Sequence, residues 1–220
     1  MLKLFKSKSE NFPKFWQNYE AKFQEKLPVE IAETRFVVLD TETTGFDLKK
    51  DRMLCIGAVA VNNRSIDIAD GFEEYISQET FNPKTVKIHG IIQNERIETL
   101  SEEEAVKAFL KYIGNSVLVA HHAGFDIGMI NEALFRMGLP KLKNKVLDTV
   151  NLYRGTRIIS NLINREKSYS LDEIAETYTI DIRDRHTAAG DAFITAIAFL
   201  KIIGKLNTDR KLNLKSLFKY

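Results

Sequence analysis

A chain of 220 residues is long enough to bury one sizeable core, and its 32 basic against 30 acidic residues leave a formal charge of only +2. That balance excludes a global basic field of the kind that drives tight non-specific binding to DNA. The lone cysteine, Cys55, excludes an intrachain disulfide and suits a reducing cytoplasm. No apolar run reaches the ~18 residues of a membrane-spanning helix, and no signal-peptide core is expected at the start, so no membrane partner is expected.

Residues 1–34 read as an N-terminal helical extension. Phe12, Trp16, Tyr19, Phe23 and Leu27 share one helical face, and Pro28 stops the pattern. An aromatic stripe of that size should not stay in water. It is expected either to pack back onto the chain's own domain or to dock a partner.

From Phe36 the sequence runs FVVLDTETTG, an apolar strand ending in two carboxylates and a glycine. Alternate side chains on a strand share a face, so Asp40 and Glu42 emerge together. Two carboxylates on one face repel unless something positive lies between them, and a divalent cation is the usual answer. Such pairs also occur at solvated loop mouths, so the motif needs support from elsewhere in the chain. Further strands are expected at 53–61 and 72–76, giving a meander at the start of a mixed sheet. Cys55 lies in the apolar run of the second strand and is expected to be a buried, inert thiol.

Ser101 with Glu104 forms a capping box ahead of a helix face made by Ala105, Val106, Phe109, Leu110 and Ile113, and Gly114 ends it. The apolar strand Val117–Ala120 then runs into a turn, with Asp126 opening an amphipathic helix. Lys145–Asp148 supplies another strand, and Ser170 with Glu173 caps a short helix. A long helix from about Thr187 to Lys205 closes the domain. His186 precedes it and Asp191 sits one turn inside, flanked by Ala188, Ala189, Gly190, Ala192 and Ile194. A carboxylate in that apolar setting is expensive unless it is paired or ligates a metal. Strands that give way to alternating helices and strands imply an α/β sheet with helices on its faces.

These segments together resemble the DEDDh branch of the 3′–5′ exonucleases, the DnaQ-like group that includes the proofreading epsilon subunit of bacterial DNA polymerase III. The likeness covers residues 35–205 and rests on D-x-E-T-T-G at Asp40–Gly45, H-x-x-x-x-D at His121–Asp126 and H-x-x-x-x-D-A at His186–Ala192. Ile88-His89-Gly90, Leu147-Asp148-Thr149 and Leu171-Asp172-Glu173-Ile174-Ala175 appear in family order as well. The sequence departs at His122, where the family often has Asn.

The resemblance implies a ribonuclease H-like mixed sheet flanked by helices, and hydrolysis of the terminal phosphodiester bond with release of 5′-mononucleotides from the 3′ end. Oxygen-only ligands suit two Mg²⁺ or Mn²⁺ ions. By the family pattern Asp40 bridges both, Glu42 and Asp191 complete one, and Asp126 supports the other. His186 takes the proton of the attacking water, a role suited to imidazole; an isolated histidine before a helix would be read as bonding its own backbone, but one five residues before Asp191 in this motif is not. Thr41, Thr43, Thr44 and Gly45 are expected beside the terminal nucleotide, with His89 lining its pocket. Phe125 and Phe46 are candidates for apolar contact with a base or sugar, with core packing as the alternative for Phe125. His121 and His122 are expected to play supporting roles.

The implied partners are a DNA 3′ end, with RNA or short oligonucleotides as the alternative substrate, and a DNA polymerase subunit, with a non-catalytic polymerase-associated subunit as the competing reading. Thr43 favours the DNA-proofreading type over the oligoribonuclease type, which has Met after the Glu. Residues 206–220 form a basic tail. Its Ser216-Leu217-Phe218 resembles the end of sliding-clamp-binding peptides but lacks their leading Gln, so a frayed or self-packing tail is expected instead of clamp docking.

Overall fold

The computed structural model describes residues 12–78, 98–157, 167–209 and 211–220. Five strands form one mixed sheet: β1 Phe36–Thr43, β2 Met53–Asn62, β3 Ser65–Tyr75, β4 Val117–Ala120 and β5 Val146–Asp148, in the order β3-β2-β1-β4-β5. The pairs β1–β2 and β2–β3 are antiparallel, whereas β1–β4 and β4–β5 are parallel. The helices are α1 Lys14–Ala21, α2 Glu102–Ile113, α3 Gly124–Arg136, α4 Thr149–Gly155, α5 Leu171–Tyr178, α6 Ala188–Leu206 and the short α7 Leu214–Leu217. This is the α/β, ribonuclease H-like sheet with flanking helices that the motifs imply.

The pleat of β1 divides the core in two. Phe36 and Val38 face α4, α5, α6 and α7, with Phe36 edge-on to Phe199 at 5.1 Å, while Val37 and Leu39 face α1, α2 and α3. Continuing the alternation, Asp40 and Glu42 fall on the α6 side and Thr41 on the α3 side. Cys55 is buried and its thiol is pushed to a high pKa chiefly by that burial, which keeps it unreactive.

Both capping boxes form as the sequence indicates, Ser101 with Glu104 and Ser170 with Glu173. The third strand differs. It starts at Ser65, well before the expected Phe72, because Asn63 and Arg64 adopt positive φ (47° and 60°) and make a two-residue hairpin turn. Arg in place of Gly at the second turn position hides that signal. Ile76, expected to end the strand, instead bridges to Leu100.

The aromatic stripe packs onto the chain itself. Trp16 and Tyr19 are buried against α2 and α3, and the Tyr19 hydroxyl donates to Asn144 Oδ1 at 2.6 Å while accepting from the Lys143 amide at 2.8 Å. The regular helix ends at Ala21, short of Pro28, and Leu27 packs on the opposite core. The tail folds back too: Leu214 and Leu217 are buried, and Lys145 Nζ lies 4.9 Å over the Phe218 ring. The two side chains that would enter a clamp are therefore held by the chain's own core.

Candidate active site

Placement of the acidic residues begins with a glycine. Asp40 pairs with Gly57 across β1 and β2, and a Cβ on Gly57 would meet the backbone of Ala188 and Ala189 at 2.2–2.3 Å. Only a glycine lets the first turn of α6 rest on the strand there. Thr187 caps that turn by accepting from the Gly190 amide at 3.1 Å, and Asp191 follows directly. As a result the carboxylate oxygens of Asp40, Glu42 and Asp191 lie within 4.8 Å of one another.

Asp126 arrives from the other face of the sheet, on the first turn of α3. Its Oδ1 accepts from the Thr41 amide at 2.9 Å and the Thr41 hydroxyl at 2.7 Å. α3 begins at Gly124, two residues earlier than expected, and has no side-chain cap of its own. Asp148, at the end of β5, supplies one from a distance by accepting from the amides of His122 and Ala123, and it also caps α4 through Val150. His122 therefore sits at φ 58°. A left-handed position favours Asn over bulkier residues, which gives a physical reason for the family's Asn there.

A cleft of about 400 Å³ is lined by Asp40, Thr41, Glu42, Thr43, Gly45, Phe46, His121, His122, Phe125, Asp126, His186 and Asp191. It gathers all five proposed catalytic side chains and three of the expected substrate contacts besides Phe125. Thr44 is not on its wall. That hydroxyl donates to Asp51 Oδ1 at 2.8 Å and accepts from the Arg52 amide, bracing the turn behind the cleft. The close approach that Gly45 permits is that of the Asp51 carboxylate, 2.5 Å from where a Cβ would stand. Thr41 faces the cleft but commits its amide and hydroxyl to Asp126, and Thr43 donates to the Gly45 carbonyl at 2.8 Å. His89, with Ile88 and Gly90, lies outside the described residues. His121 and His122, for which supporting roles are expected, both have their rings on the cleft wall, 4.6 Å apart. Phe46 is 80% exposed and meets half-buried Phe125 at 5.8 Å, so the pair forms an aromatic rim to the cleft.

The electrostatics are those of an acidic hole. Burial, then Asp126, Asp191 and Glu42, hold the Asp40 carboxyl well above the usual carboxylate range, with Arg185 opposing. Burial and the Asp191 charge push Glu42 up to about 7. Burial also raises Asp126 to about 7, although both Thr41 hydrogen bonds pull it down. Burial and the neighbouring His122 lower His121 to about 4, so it is neutral at physiological pH. His186 stands at the mouth of α6 with φ 68°, a left-handed backbone uncommon for a residue of its size.

Among the described residues one cation, Arg185, answers these charges, and its neighbours in the sequence do not mark it. Arg185 donates from Nη1 to Asp191 Oδ2 at 2.6 Å and from Nε to Asp172 Oδ1 at 2.7 Å. Asp191 Oδ1 is buried and has no hydrogen-bond partner among the described residues. Three converging carboxylates, one with a bare buried oxygen, are a hard-oxygen donor set that fits Mg²⁺ or Mn²⁺.

The sequence matches the exonuclease family RNase_T over residues 37–199. It is 35% identical over 175 residues to the PolC-type DNA polymerase III of Caldanaerobacter subterraneus subsp. tengcongensis, covering 79% of this chain and 12% of that protein. The chain thus spans about an eighth of that relative's length. Among solved structures, the zinc-bound complex of E. coli exonuclease I with single-stranded DNA superposes with a TM-score of 0.64 at 19% identity, covering 86% of this chain and 42% of the other. Exonuclease X in complex with 5′-overhanging duplex DNA gives 0.58 at 22% identity, covering 77% and 91%. Both share the fold.

Proposed function

We propose that this chain, which belongs to the RNase_T exonuclease family, removes nucleotides one at a time from the 3′ end of single-stranded or frayed DNA. The observation that carries the reading is the convergence of Asp40, Glu42 and Asp191, with a bare buried oxygen on Asp191, in a cleft that also holds His186. Asp40, Glu42 and Asp191 would hold one divalent ion, and Asp40 with the second oxygen of Asp126 would hold another. When bound, Mg²⁺ or Mn²⁺ supplies positive charge against the charge that develops on the scissile phosphate.

The chain's own residues do the rest. His186 accepts the proton of the attacking water at the start of α6. Thr41 holds Asp126 by one oxygen and so leaves the other for the cleft. Phe46 and Phe125 offer an apolar rim on which the terminal base or sugar can rest. Neutral His121 and the absence of a strong basic field suit a grip on a few terminal nucleotides. The similarity to PolC-type polymerases supports a proofreading role beside a DNA polymerase.

The test uses 5′-end-labelled single-stranded DNA, a duplex with a 3′ mismatch and a matched RNA, each with Mg²⁺ or Mn²⁺ at one salt concentration. A ladder that shortens from the 3′ end, with 5′-mononucleotides released and DNA cut faster than RNA, is the expected result. Faster trimming of RNA would transfer the function to RNA processing. Binding of DNA without shortening in either metal would leave a non-catalytic polymerase-associated subunit.

A further inference from the structure

Asp191 is asymmetric. Its Oδ2 receives Arg185 Nη1 at 2.6 Å and the His186 amide at 3.2 Å, whereas Oδ1 is buried without a partner. Arg185 is itself held from the far side, since Nε donates to Asp172 Oδ1 on the first turn of α5. The Arg185 side chain is 19% exposed and that of Asp191 8%, so this contact is largely shielded from solvent, unlike the ordinary surface pairs of the molecule. The turn that carries both residues is tight. Arg185 N donates to the Ile182 carbonyl, Thr187 Oγ1 donates to the Asp184 carbonyl, and a Cβ on Gly190 would collide with that carbonyl at 1.9 Å.

Building on the function proposed above, we propose that Arg185 is a positioning residue for the site. Anchored on Asp172, it claims Oδ2 of Asp191, aims Oδ1 into the cleft as a single-oxygen metal ligand, and fixes the turn that presents His186. A guanidinium suits this task because its planar fork makes two hydrogen bonds in different directions at once, which an ammonium on a flexible stem does not reproduce. The arrangement has a cost that gives it a signature. The same positive charge that orients Asp191 also repels an incoming cation.

Removing Arg185 should therefore tighten metal binding while slowing the reaction, since the repulsion vanishes and both Asp191 oxygens are free to turn to the ion. A residue that merely supported the fold would weaken both together. The experiment compares the full chain with Arg185→Ala, Arg185→Lys and Asp172→Asn, using calorimetric titration with Mn²⁺ alone and steady-state cleavage of a single-stranded oligonucleotide at saturating Mn²⁺. Arg185→Ala should bind Mn²⁺ more tightly and lose ~10–100-fold in kcat, with KM changed by no more than about twofold. Arg185→Lys should return Mn²⁺ affinity to the wild-type value but recover only part of kcat. Asp172→Asn keeps the contact with Asp191 and should show a smaller loss of kcat. It also keeps the test decisive if Arg185→Ala does not fold.

Weaker Mn²⁺ binding with a lower Tm in Arg185→Ala and Arg185→Lys alike would overturn the proposal, as would an unchanged kcat. A raised KM with kcat preserved would overturn it too, by making Arg185 a substrate contact. Wild-type protein that neither binds Mn²⁺ nor cleaves would instead remove the exonuclease reading on which the proposal rests.

Discussion

Asp126 and Asp191 are the same residue type, are buried to the same degree, and approach Asp40 from opposite faces of one sheet. Asp126 is kept by neutral donors, the amide and hydroxyl of Thr41. Asp191 is kept by a guanidinium, and one of its oxygens is left bare. Among the described residues, the Asp191 half brings three carboxylates within ligand distance of each other. The difference separates two ways of holding a buried negative charge, and it predicts different behaviour on each side when the charge is removed.

The largest effect should come from the Asp191 half, where the proposed proton acceptor also sits. His186→Ala should lower single-turnover cleavage by ~10²–10⁴-fold, and the deficit should shrink as pH rises and hydroxide replaces the missing base. A wild-type to Ala ratio that stays constant across the pH range would take His186 out of the chemistry. Asn at Asp126 or Asp191 should each cost at least ~10²-fold in turnover. Their stabilities should separate the two halves. Asp126→Asn keeps an oxygen for Thr41 and relieves repulsion, so the metal-free protein should hold or raise its Tm. Asp191→Asn keeps an acceptor for Arg185 but removes the charge opposite its guanidinium, leaving Asp172 as its one carboxylate partner among the described residues, and should cost roughly 1–3 kcal/mol, less than the loss of a fully buried pair. Equal Tm changes in urea or heat would erase the distinction.

Much of this was legible in the sequence, because the signals were local. The D-x-E spacing on a strand, the two capping boxes and the Thr187-to-Asp191 helix start each follow from neighbours within a few residues. What stayed hidden depends on contacts across the fold. Nothing in Asp184-Arg185-His186 marks Arg185 as a bridge until α5 brings Asp172 beside it. Asp126 falls on the face opposite Asp40 and Glu42 only because α3 and α6 flank the sheet. Gly57, in the middle of an apolar strand, reads as a weak spot until the backbone of Ala188 is seen against it. The start of the third strand at Ser65 is hidden because its turn uses Arg64 where Gly would announce it.

A smaller effect tests how Asp126 is held. Thr41→Val removes the 2.7 Å hydroxyl bond and leaves the amide, so turnover should fall ~10-fold, chiefly at lower pH. Activity equal to wild type at pH 6 would show that the amide alone suffices.

The acidic cluster also sets the pH dependence of stability. Glu42 and Asp126 stand at about 7 in the folded, metal-free protein, above the ordinary carboxylate values they take when unfolded. Between those limits the folded state binds more protons, so stability should fall as pH rises from about 4 through 7. Thermal melts in chelator should show Tm declining across that window, and Mn²⁺ or Asp126→Asn should flatten the decline. A Tm that rises with pH in chelator would contradict the charge account. Least of all, His122→Asn should change stability by no more than about 1 kcal/mol, because Asn accepts the left-handed backbone while losing the ring's contact with Ser168 Oγ.

The most direct test is anomalous diffraction from crystals soaked in Mn²⁺, with and without a nucleoside 5′-monophosphate. Without nucleotide, one ion should appear among Asp40, Glu42 and Asp191, about 2.0–2.3 Å from an oxygen of each. With nucleotide, a second ion should appear between Asp40 and the free oxygen of Asp126. An empty carboxylate cluster at saturating Mn²⁺, with Arg185 still seated on Asp191, would contradict the claim that this cleft is a metal-dependent catalytic centre.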